Sequence, residues 1–326
     1  MRAKAASMAA DRAKALLTWP CPTHLLAPLD ALGVDIEPLA EGAATSAGMQ
    51  AAIAGKIALL CHPWVPVNAA VIDAGRTSLR VVSTVAVGYD NIDVAACRRY
   101  GIAVGHTPGV VVEATADLTY GLILAVMRGI IAGDRFVRTG EWLIRQAPLG
   151  HDLQAKTLGI VGMGAIGTAV ARRAAASGMT IVYTNRRPAA ATPVRAEFLA
   201  LSDLLARADC VVILAPLTAQ TQRMMNAAAF AQMKRGAYLV NAARGPLVDS
   251  GALYDALAGG QLAAAAVDVV EPEPLPAAHP LLSLPNFFIT PHIGTATYET
   301  REAMASLMVA NAVAGIRGEP LPAAVP

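Results

Sequence analysis

A glycine-rich turn lies between an apolar run, predicted as a strand, and an alanine-rich stretch, predicted as a helix, and it restricts the possible folds more than any other motif. In the segment LGIVGMGAIG, Gly162 permits a tight turn, Gly164 lets the backbone approach a pyrophosphate, and Gly167 lets the helix pack closely on the strand. A helix N-terminus favours an anion because its N–H groups and its dipole point at the ligand. The pattern predicts a dinucleotide-binding turn, with glycines used only for close packing as the alternative. The same turn contains three further predicted cofactor contacts, Met163, Ala165 and Ile166.

The next strand ends in YTNRRP, at the place where a fingerprint of this kind expects an acid that binds the adenosine ribose. Asn185 occupies that place, and its neutral amide does not repel a 2′-phosphate. Arg186 and Arg187 can form charge-assisted hydrogen bonds to such a phosphate. The alternative is that both arginines belong to a solvated loop. We predict NADP(H) as the preferred cofactor, with NAD(H) possible.

Short apolar runs alternate with helix-compatible stretches along the whole chain. The runs KALLTW, VDIEPL, KIALLCH, LRVVSTVAV and GIAVGHT precede the turn, and ADCVVILAP, GAYLVNAA, AAAAVDVV and FFITPHIG follow it. This alternation is typical of parallel sheets wrapped by helices. We therefore predict an α/β fold of two Rossmann-like or flavodoxin-like domains with parallel sheets.

The predicted domains are not consecutive in the chain. We expect a discontinuous substrate-binding domain, residues 1–110 with 297–326, around an inserted NAD(P)-binding domain, residues 111–296. A long helical segment is predicted from about Ala114 to about Thr139, as a candidate connector between the halves. The proline-rich end of the chain, EPLPAAVP, is predicted to pack back on the first domain.

Charge, cysteine usage and hydropathy restrict the partners and the compartment. With 26 basic and 24 acidic side chains the net charge is +2, too small to indicate a nucleic-acid or membrane partner. The four cysteines show no C-x-x-C pair, which is typical of reduced, mostly buried thiols. The chain start lacks the unbroken apolar core of a signal peptide, and no apolar run reaches the length of a membrane span. We expect a cytoplasmic protein whose ligand is small.

Three segments beyond the turn each place polar residues just after a buried strand, where open α/β sheets bind ligands. They are NAARGPLVD with Arg244, AVDVVEPEPL with Asp268, Glu271 and Glu273, and TPHIG with His292. A guanidinium can hold a substrate carboxylate bidentately, and an imidazole can deliver a proton near pH 7 as charge develops on a carbonyl oxygen. A carboxylate beside the imidazole would orient it and favour its protonated form. Together these residues are typical of a keto-acid reductase.

A less specific interpretation exists for each of these residues. A loop arginine can be a surface residue, a histidine after proline can cap a turn, and EPEP can be a solvated loop. We choose Glu273 as the partner of His292. The other histidines show no ligand spacing, so no metal site is predicted; they are His24, His62, His106, His151 and His279.

The ordered motifs VAVGYDNID, GMGAIG, NAARGPLVD, DVVEPEP and PHIG resemble those of the D-isomer-specific 2-hydroxyacid dehydrogenase family. The resemblance covers nearly the whole chain from about Lys14 onward. Within the family, DVVEPEPLP and YTNRR are similar to segments of the glyoxylate/hydroxypyruvate reductase branch. Glu273 argues against a formate-dehydrogenase-like member, which uses glutamine opposite its histidine.

The resemblance implies roles for individual residues. Arg244 binds the substrate, Glu273 rather than Glu271 pairs with the catalytic His292, and Asp268 contacts the nicotinamide carboxamide. The predicted substrate contacts, besides Arg244 and His292, are Val87 and Gly88 through their backbone amides, and Trp64, which could equally belong to the core. A homodimer is implied through a dimerisation helix near 114–142, with Trp142 directed toward the partner subunit. Further cofactor contacts are assigned to Thr115, Pro216, Ala242 and Gly294.

The function predicted from these residues is NADPH-dependent reduction of a small 2-keto acid, such as glyoxylate or hydroxypyruvate, to the 2-hydroxy acid. His292 is the general acid in this hypothesis. Two alternatives stay open. One is an NAD(P)-binding, corepressor-like sensor without significant turnover, and the other is a family member that acts on 2-ketogluconate or phosphite.

Overall fold

The computed structural model describes residues 12–326, which form two compact units. One unit takes the chain up to Val111 together with Tyr298–Pro326, and the other is Val112–Thr297. Each unit is built on its own sheet, and all strand pairs within both sheets are parallel. The predicted α/β fold with two parallel sheets is therefore confirmed.

The sheet of the first unit has five strands, and two of its three inner strands are the most deeply buried. The strands are β1 (Ala13–Leu17), β2 (Val34–Pro38), β3 (Ala58–Cys61), β4 (Val81–Thr84) and β5 (Ala103–Gly105). Their order is β2-β1-β3-β4-β5. Every residue of β3 and β4 is buried, because a parallel sheet is covered by helices on both faces. The apolar runs predicted as strands lie at these positions.

The helices of the first unit include the last helix of the chain. They are α1 (Thr23–Asp30), α2 (Ser46–Ile53), α3 (Ala69–Gly75), α4 (Val94–Arg99) and α11 (Tyr298–Arg317). Helix α11 packs on β4, where the Ser83 hydroxyl donates to the carbonyl oxygen of Met308 over 2.8 Å. Beyond α11, the N–H of Val325 donates to the carbonyl of Val104 at the end of the sheet. The prediction that the proline-rich tail packs on this unit is confirmed.

The sheet of the second unit has seven strands and contains the glycine-rich turn. The strands are β6 (Thr157–Val161), β7 (Thr180–Thr184), β8 (Ala196–Phe198), β9 (Cys210–Ile213), β10 (Ala237–Asn241), β11 (Leu262–Val267) and β12 (Phe287–Ile289). Their order is β12-β11-β10-β9-β6-β7-β8. The strand order reverses between β6 and β9, and open α/β sheets bind ligands at the carboxyl ends of the strands beside such a point. Strand β8 was not predicted because none of its three residues is buried.

The helical segment predicted from about Ala114 to about Thr139 is helical in the structure, but it is divided into two helices. The helices of the second unit are α5 (Val112–Met127), α6 (Ile130–Arg138), α7 (Ala165–Ala176), α8 (Leu201–Arg207), α9 (Ala227–Gln232) and α10 (Ser250–Ala258). Gly129 lies between α5 and α6 with φ +62°, a left-handed conformation that glycine adopts without strain and that a helix cannot contain. The two helices are bent by 59° at this break. Within residues 12–326 no single helix passes a length and hydropathy test for a membrane span, although α5 and α6 pass it as a bent pair.

Candidate active site

The turn after β6 has the geometry that its glycines predicted. Gly162 has φ +106°, and a Cβ there would lie 2.6 Å from the backbone nitrogen of Ala215. A Cβ at Gly167 would overlap the carbonyl oxygen of Gly162, because the backbone of the helix and the backbone of the turn are in direct contact there. Gly164 has open space above its Cα and is the N-cap of α7, with no side chain bonded to the first turn of the helix. The helix N-terminus is therefore accessible to an anion such as a pyrophosphate.

Asn185 is bonded to this turn by both ends of its amide. Its Oδ1 accepts a hydrogen bond from the N–H of Met163 over 2.7 Å, and its Nδ2 donates to the carbonyl of Met163 over 3.3 Å. The sequence indicated a neutral residue at the ribose position but not these bonds. Asn185 thus joins the end of β7 to the turn that follows β6.

The two arginines after Asn185 are exposed. Neither Arg186 nor Arg187 forms an ion pair within the part of the chain that the structure describes. Elsewhere in the second unit, exposed arginines do find carboxylates, as Arg207 does with Glu197 over 2.8 Å. Two guanidinium groups at the end of β7 therefore have no acid of the described residues to neutralise them and can bind an anionic ligand.

Asp268 follows β11 and anchors the loop that carries His292. Its side chain is buried, with 2% of the residue exposed. Oδ1 accepts from the Thr290 hydroxyl over 2.6 Å and from the N–H of Ile293 over 2.8 Å, while Oδ2 accepts from the N–H of Gly294 over 2.8 Å. Its backbone carbonyl also accepts from the N–H of His292. Both carboxylate oxygens thus hold this loop to the end of β11.

The imidazole of His292 is paired with Glu273, as the sequence interpretation proposed. The Nδ1 of His292 lies 2.6 Å from Oε1 of Glu273, and the two side chains are 27% and 23% exposed. Because a carboxylate oxygen can only accept, Nδ1 carries the hydrogen of this bond, which fixes the orientation of the ring. His292 has φ +54°, a conformation that is uncommon outside glycine and that strained functional loops often contain.

The loop that carries Arg244 is shaped by Asn241, the last residue of β10. Asn241 is 1% exposed; its Nδ2 donates to the carbonyl of Arg244 over 2.9 Å, and its Oδ1 accepts from the N–H of Ala243 over 3.1 Å. The next residue, Gly245, lies against the backbone of Val270 so closely that a Cβ would overlap the Val270 carbonyl. The sequence analysis missed Asn241 and Gly245, although both lie within the motif NAARGPLVD.

Further predicted cofactor contacts lie beside this framework. A Cβ at Gly294 would lie 3.2 Å from Oδ2 of Asp268 and 3.5 Å from the Thr115 side chain, so the structure brings these three residues together. Ala242 follows β10, and its N–H donates to the carbonyl of Ile213 at the end of β9 over 3.4 Å. Pro216 lies in the loop after β9. Each of these loops leaves the carboxyl end of a parallel strand.

The predicted substrate contacts of the first unit lie in two loops. Val87 and Gly88 are half-buried and follow β4. Trp64 follows β3 and is 61% exposed, so it is not a core residue. Its ring contacts the ring of His62 edge-on, with 4.5 Å between centroids.

Comparisons with known proteins identify the family. Residues 120–294 match the model of the D-isomer specific 2-hydroxyacid dehydrogenase, NAD binding domain. A glyoxylate reductase of Thermofilum pendens is 44% identical over 279 residues, which is 84% of this chain and 82% of that protein.

Two solved structures are similar over nearly their full length. A protein of Thermus thermophilus is 44% identical with a TM-score of 0.87, covering 96% of this chain and 100% of that one. An NADPH-dependent glyoxylate/hydroxypyruvate reductase of Sinorhizobium meliloti, solved with NADP and malonate, is 30% identical with a TM-score of 0.85, covering 96% and 97%. The chain belongs to the D-isomer specific 2-hydroxyacid dehydrogenases, a family of enzymes, and within it to the glyoxylate reductase branch.

Proposed function

We propose that this protein reduces a small 2-keto acid, glyoxylate or hydroxypyruvate, to the corresponding 2-hydroxy acid with NADPH. The observation that carries the proposal is the His292–Glu273 pair, whose 2.6 Å contact lies on a loop held by the buried Asp268. An oriented imidazole at the carboxyl edge of a dinucleotide-binding sheet supplies the proton that reduction of a carbonyl requires. Similar proteins named glyoxylate reductase support the substrate class.

The second unit has the features that a dinucleotide requires. The open backbone at Gly164 and the accessible N-terminus of α7 fit a pyrophosphate, and the residues around Thr115, Asp268 and Gly294 are assigned to the nicotinamide end. When bound, the cofactor supplies the hydride that the protein itself cannot. We assign cofactor binding to residues 111–296 and substrate binding to residues 1–110 with 297–326.

The residues at the end of β7 support NADPH over NADH. Asn185 brings no negative charge to the ribose position, and its amide is used in holding the Met163 backbone. Arg186 and Arg187 are exposed, and neither is neutralised by an acid of the described chain. A 2′-phosphate offers both guanidinium groups charge-assisted hydrogen bonds, which the 2′-hydroxyl of NADH does not.

In the proposed mechanism, His292 donates its Nε2 proton to the substrate carbonyl oxygen as negative charge develops there. Glu273 accepts the hydrogen of Nδ1 and thereby fixes the orientation of the imidazole ring. Arg244 holds the substrate carboxylate, and its planar guanidinium can do so with two parallel hydrogen bonds. The backbone amides of Val87 and Gly88 are assigned to substrate binding by the first unit. Orientation of the substrate by these groups converts binding energy into rate.

A homodimer is part of the proposal. Large apolar side chains near the end of the segment 114–142 are exposed, among them Trp142 at 67% and Ile144 at 82%. Monomeric proteins rarely expose such side chains together, so a partner subunit is the expected cover. The measurement is the molar mass in solution by light scattering.

The test of the function is a panel of initial rates with NADPH and NADH against glyoxylate, hydroxypyruvate, pyruvate and 2-ketogluconate. We expect turnover with glyoxylate or hydroxypyruvate and a higher kcat/KM for NADPH. His292→Ala should abolish turnover with every acid, whereas Glu273→Gln should lower kcat and leave NADPH binding intact. Intact turnover in His292→Ala would disprove the mechanism. A protein that binds NADPH but reduces none of the acids would instead be a dinucleotide sensor.

A further inference from the structure

A half-buried histidine of the first unit, absent from the proposed mechanism, contacts the loop that contains Val87 and Gly88. His106 follows β5, and the loop follows the neighbouring strand β4. The Nδ1 of His106 lies 2.9 Å from the carbonyl oxygen of Val87. A carbonyl oxygen can only accept, so Nδ1 is the donor in this hydrogen bond.

The position of the His106 ring is determined by contacts on several sides. The N–H of His106 donates to the carbonyl of Ala323, and its own carbonyl accepts from Nδ2 of Asn311, both over 3.0 Å. Asn311 is fully buried, and its Oδ1 accepts from the N–H of Ala323 over 2.9 Å. The His106 ring also meets the ring of Tyr89 edge-on, with 5.7 Å between centroids. The backbone bonds fix the position of the His106 main chain, and the ring contacts with Val87 and Tyr89 fix the orientation of the imidazole.

Hydrogen bonds to two successive carbonyls orient the two N–H groups that follow them. The C=O of one residue and the N–H of the next lie in one planar trans peptide, so the two bonds point in opposite directions. The N–H of Thr107 holds the carbonyl of Ala86 over 2.9 Å and thereby orients the N–H of Val87. In the same way, the bond from His106 to the Val87 carbonyl orients the N–H of Gly88. Within residues 12–326, neither of these two N–H groups donates to a protein acceptor.

We propose that His106 is a positioning residue, which aims the Gly88 N–H at the substrate carboxylate by holding the carbonyl of Val87. This inference rests on the proposed function. A carboxylate accepts the hydrogen bond both before and during hydride transfer. Loss of the alignment therefore weakens ground state and transition state alike, which raises KM and leaves kcat nearly unchanged.

The test compares three variants of the full chain. His106→Leu removes the donor, and His106→Asn retains an N–H donor in place of Nδ1. Thr45→Ala is the matched control, because it removes another hydrogen bond of the same unit, from the N–H of Gly48 over 3.2 Å at the start of α2. The measurements are KM and kcat for glyoxylate at saturating NADPH, KM for NADPH, the melting temperature, and the inhibition constant of oxamate, an unreactive analogue.

We expect His106→Leu to raise KM for glyoxylate and the oxamate inhibition constant together, by roughly three- to tenfold, as loss of one hydrogen bond predicts. Its kcat and its KM for NADPH should stay within about twofold of wild type. His106→Asn should restore KM and the inhibition constant, and Thr45→Ala should leave both unchanged.

Three results would overturn the inference: an unchanged KM in His106→Leu, an equal rise in His106→Asn, or an equal rise in Thr45→Ala. Equal rises would show that the donor is not the cause. Absence of wild-type turnover with every 2-keto acid would refute the proposed function itself. An active enzyme in which His106→Leu has an unchanged KM would refute only the role of His106.

Discussion

The substitution Asp268→Asn tests whether this carboxylate holds the His292 loop in place. The carboxylate accepts three hydrogen bonds in a site that is 2% exposed. An asparagine oxygen can keep the bonds from the Thr290 hydroxyl and the Ile293 N–H, but its NH2 group then faces the Gly294 N–H. One buried donor is left without an acceptor, and the two remaining bonds lose the assistance of the charge.

The size of the effect follows from these three bonds. A hydrogen bond to a charged group contributes about 1.5–3 kcal/mol, and a neutral bond contributes about half as much. Losing one bond and weakening two lowers the free energy of unfolding by about 3–6 kcal/mol. This corresponds to a melting temperature about 6–24 °C lower for a unit of this size. Because the loop positions His292, kcat should fall by about 10²-fold.

The assays are a thermal melt followed by circular dichroism and steady-state kinetics with glyoxylate. Thr290→Val is the graded control, because it removes one of the three donors and leaves the charge, so its effects should be smaller on both measurements. A melting temperature and a kcat equal to those of wild type in Asp268→Asn would refute the anchoring role. A rise confined to KM for NADPH would instead support a direct contact with the cofactor.

Three other substitutions or probes test separate parts of the structure. The double substitution Arg186→Ala, Arg187→Ala should raise KM for NADPH by about 10-fold or more and leave KM for NADH unchanged, as loss of charge-assisted bonds predicts. Equal changes for both cofactors would show that the two arginines belong to a solvated loop and do not select the cofactor. Gly245→Ala should force the Arg244 loop away from the Val270 carbonyl, lower the free energy of unfolding by about 1–3 kcal/mol and reduce kcat/KM. Gly121→Ala is the control, because Gly121 lies in α5 and a Cβ there would meet no other atom, so its effect on stability should be neutral or favourable. Three of the four cysteines are buried, Cys61, Cys97 and Cys210, and burial raises the pKa of Cys61 and of Cys97 to about 12. A thiol reagent at pH 8 should therefore modify at most one cysteine of the native protein and all four after denaturation. Fast modification of several thiols in the native state would contradict the fold.

Most of the secondary structure could be predicted because its signals are local. Eleven of the twelve strands in the described chain lie in apolar runs read from the sequence, and the missing one, β8, has no buried residue that could produce such a run. The break between α5 and α6 at Gly129 could have been predicted, because a glycine inside a helical pattern lowers confidence in an unbroken helix. Hydropathy alone did not reveal the break, because both helices on either side of it contain apolar residues.

The candidate site was predicted less completely. The motif EPEP offers Glu271 and Glu273, and Glu273 was chosen as the partner of His292 before the resemblance to a family implied the same residue. The structure gives Glu273 the 2.6 Å contact with His292. The bond from Asn185 to Met163 was not foreseen, since it joins residues that come together only when β6 and β7 pair. The role of Asp268 as an anchor was missed for the same reason.

The fold class, the glycine turn and the family could be inferred from the sequence alone, because apolar periodicity and short motifs depend on neighbouring residues. The contacts between side chains depend instead on the folded structure. The contacts of Asp268 with Gly294 and of His106 with Val87 link ends of different strands. Their distances depend on strand order and on the direction of each loop, and both result from packing of the whole unit. The residue types that carry the chemistry could therefore be identified from the sequence, whereas the distances between them are defined only in the folded protein.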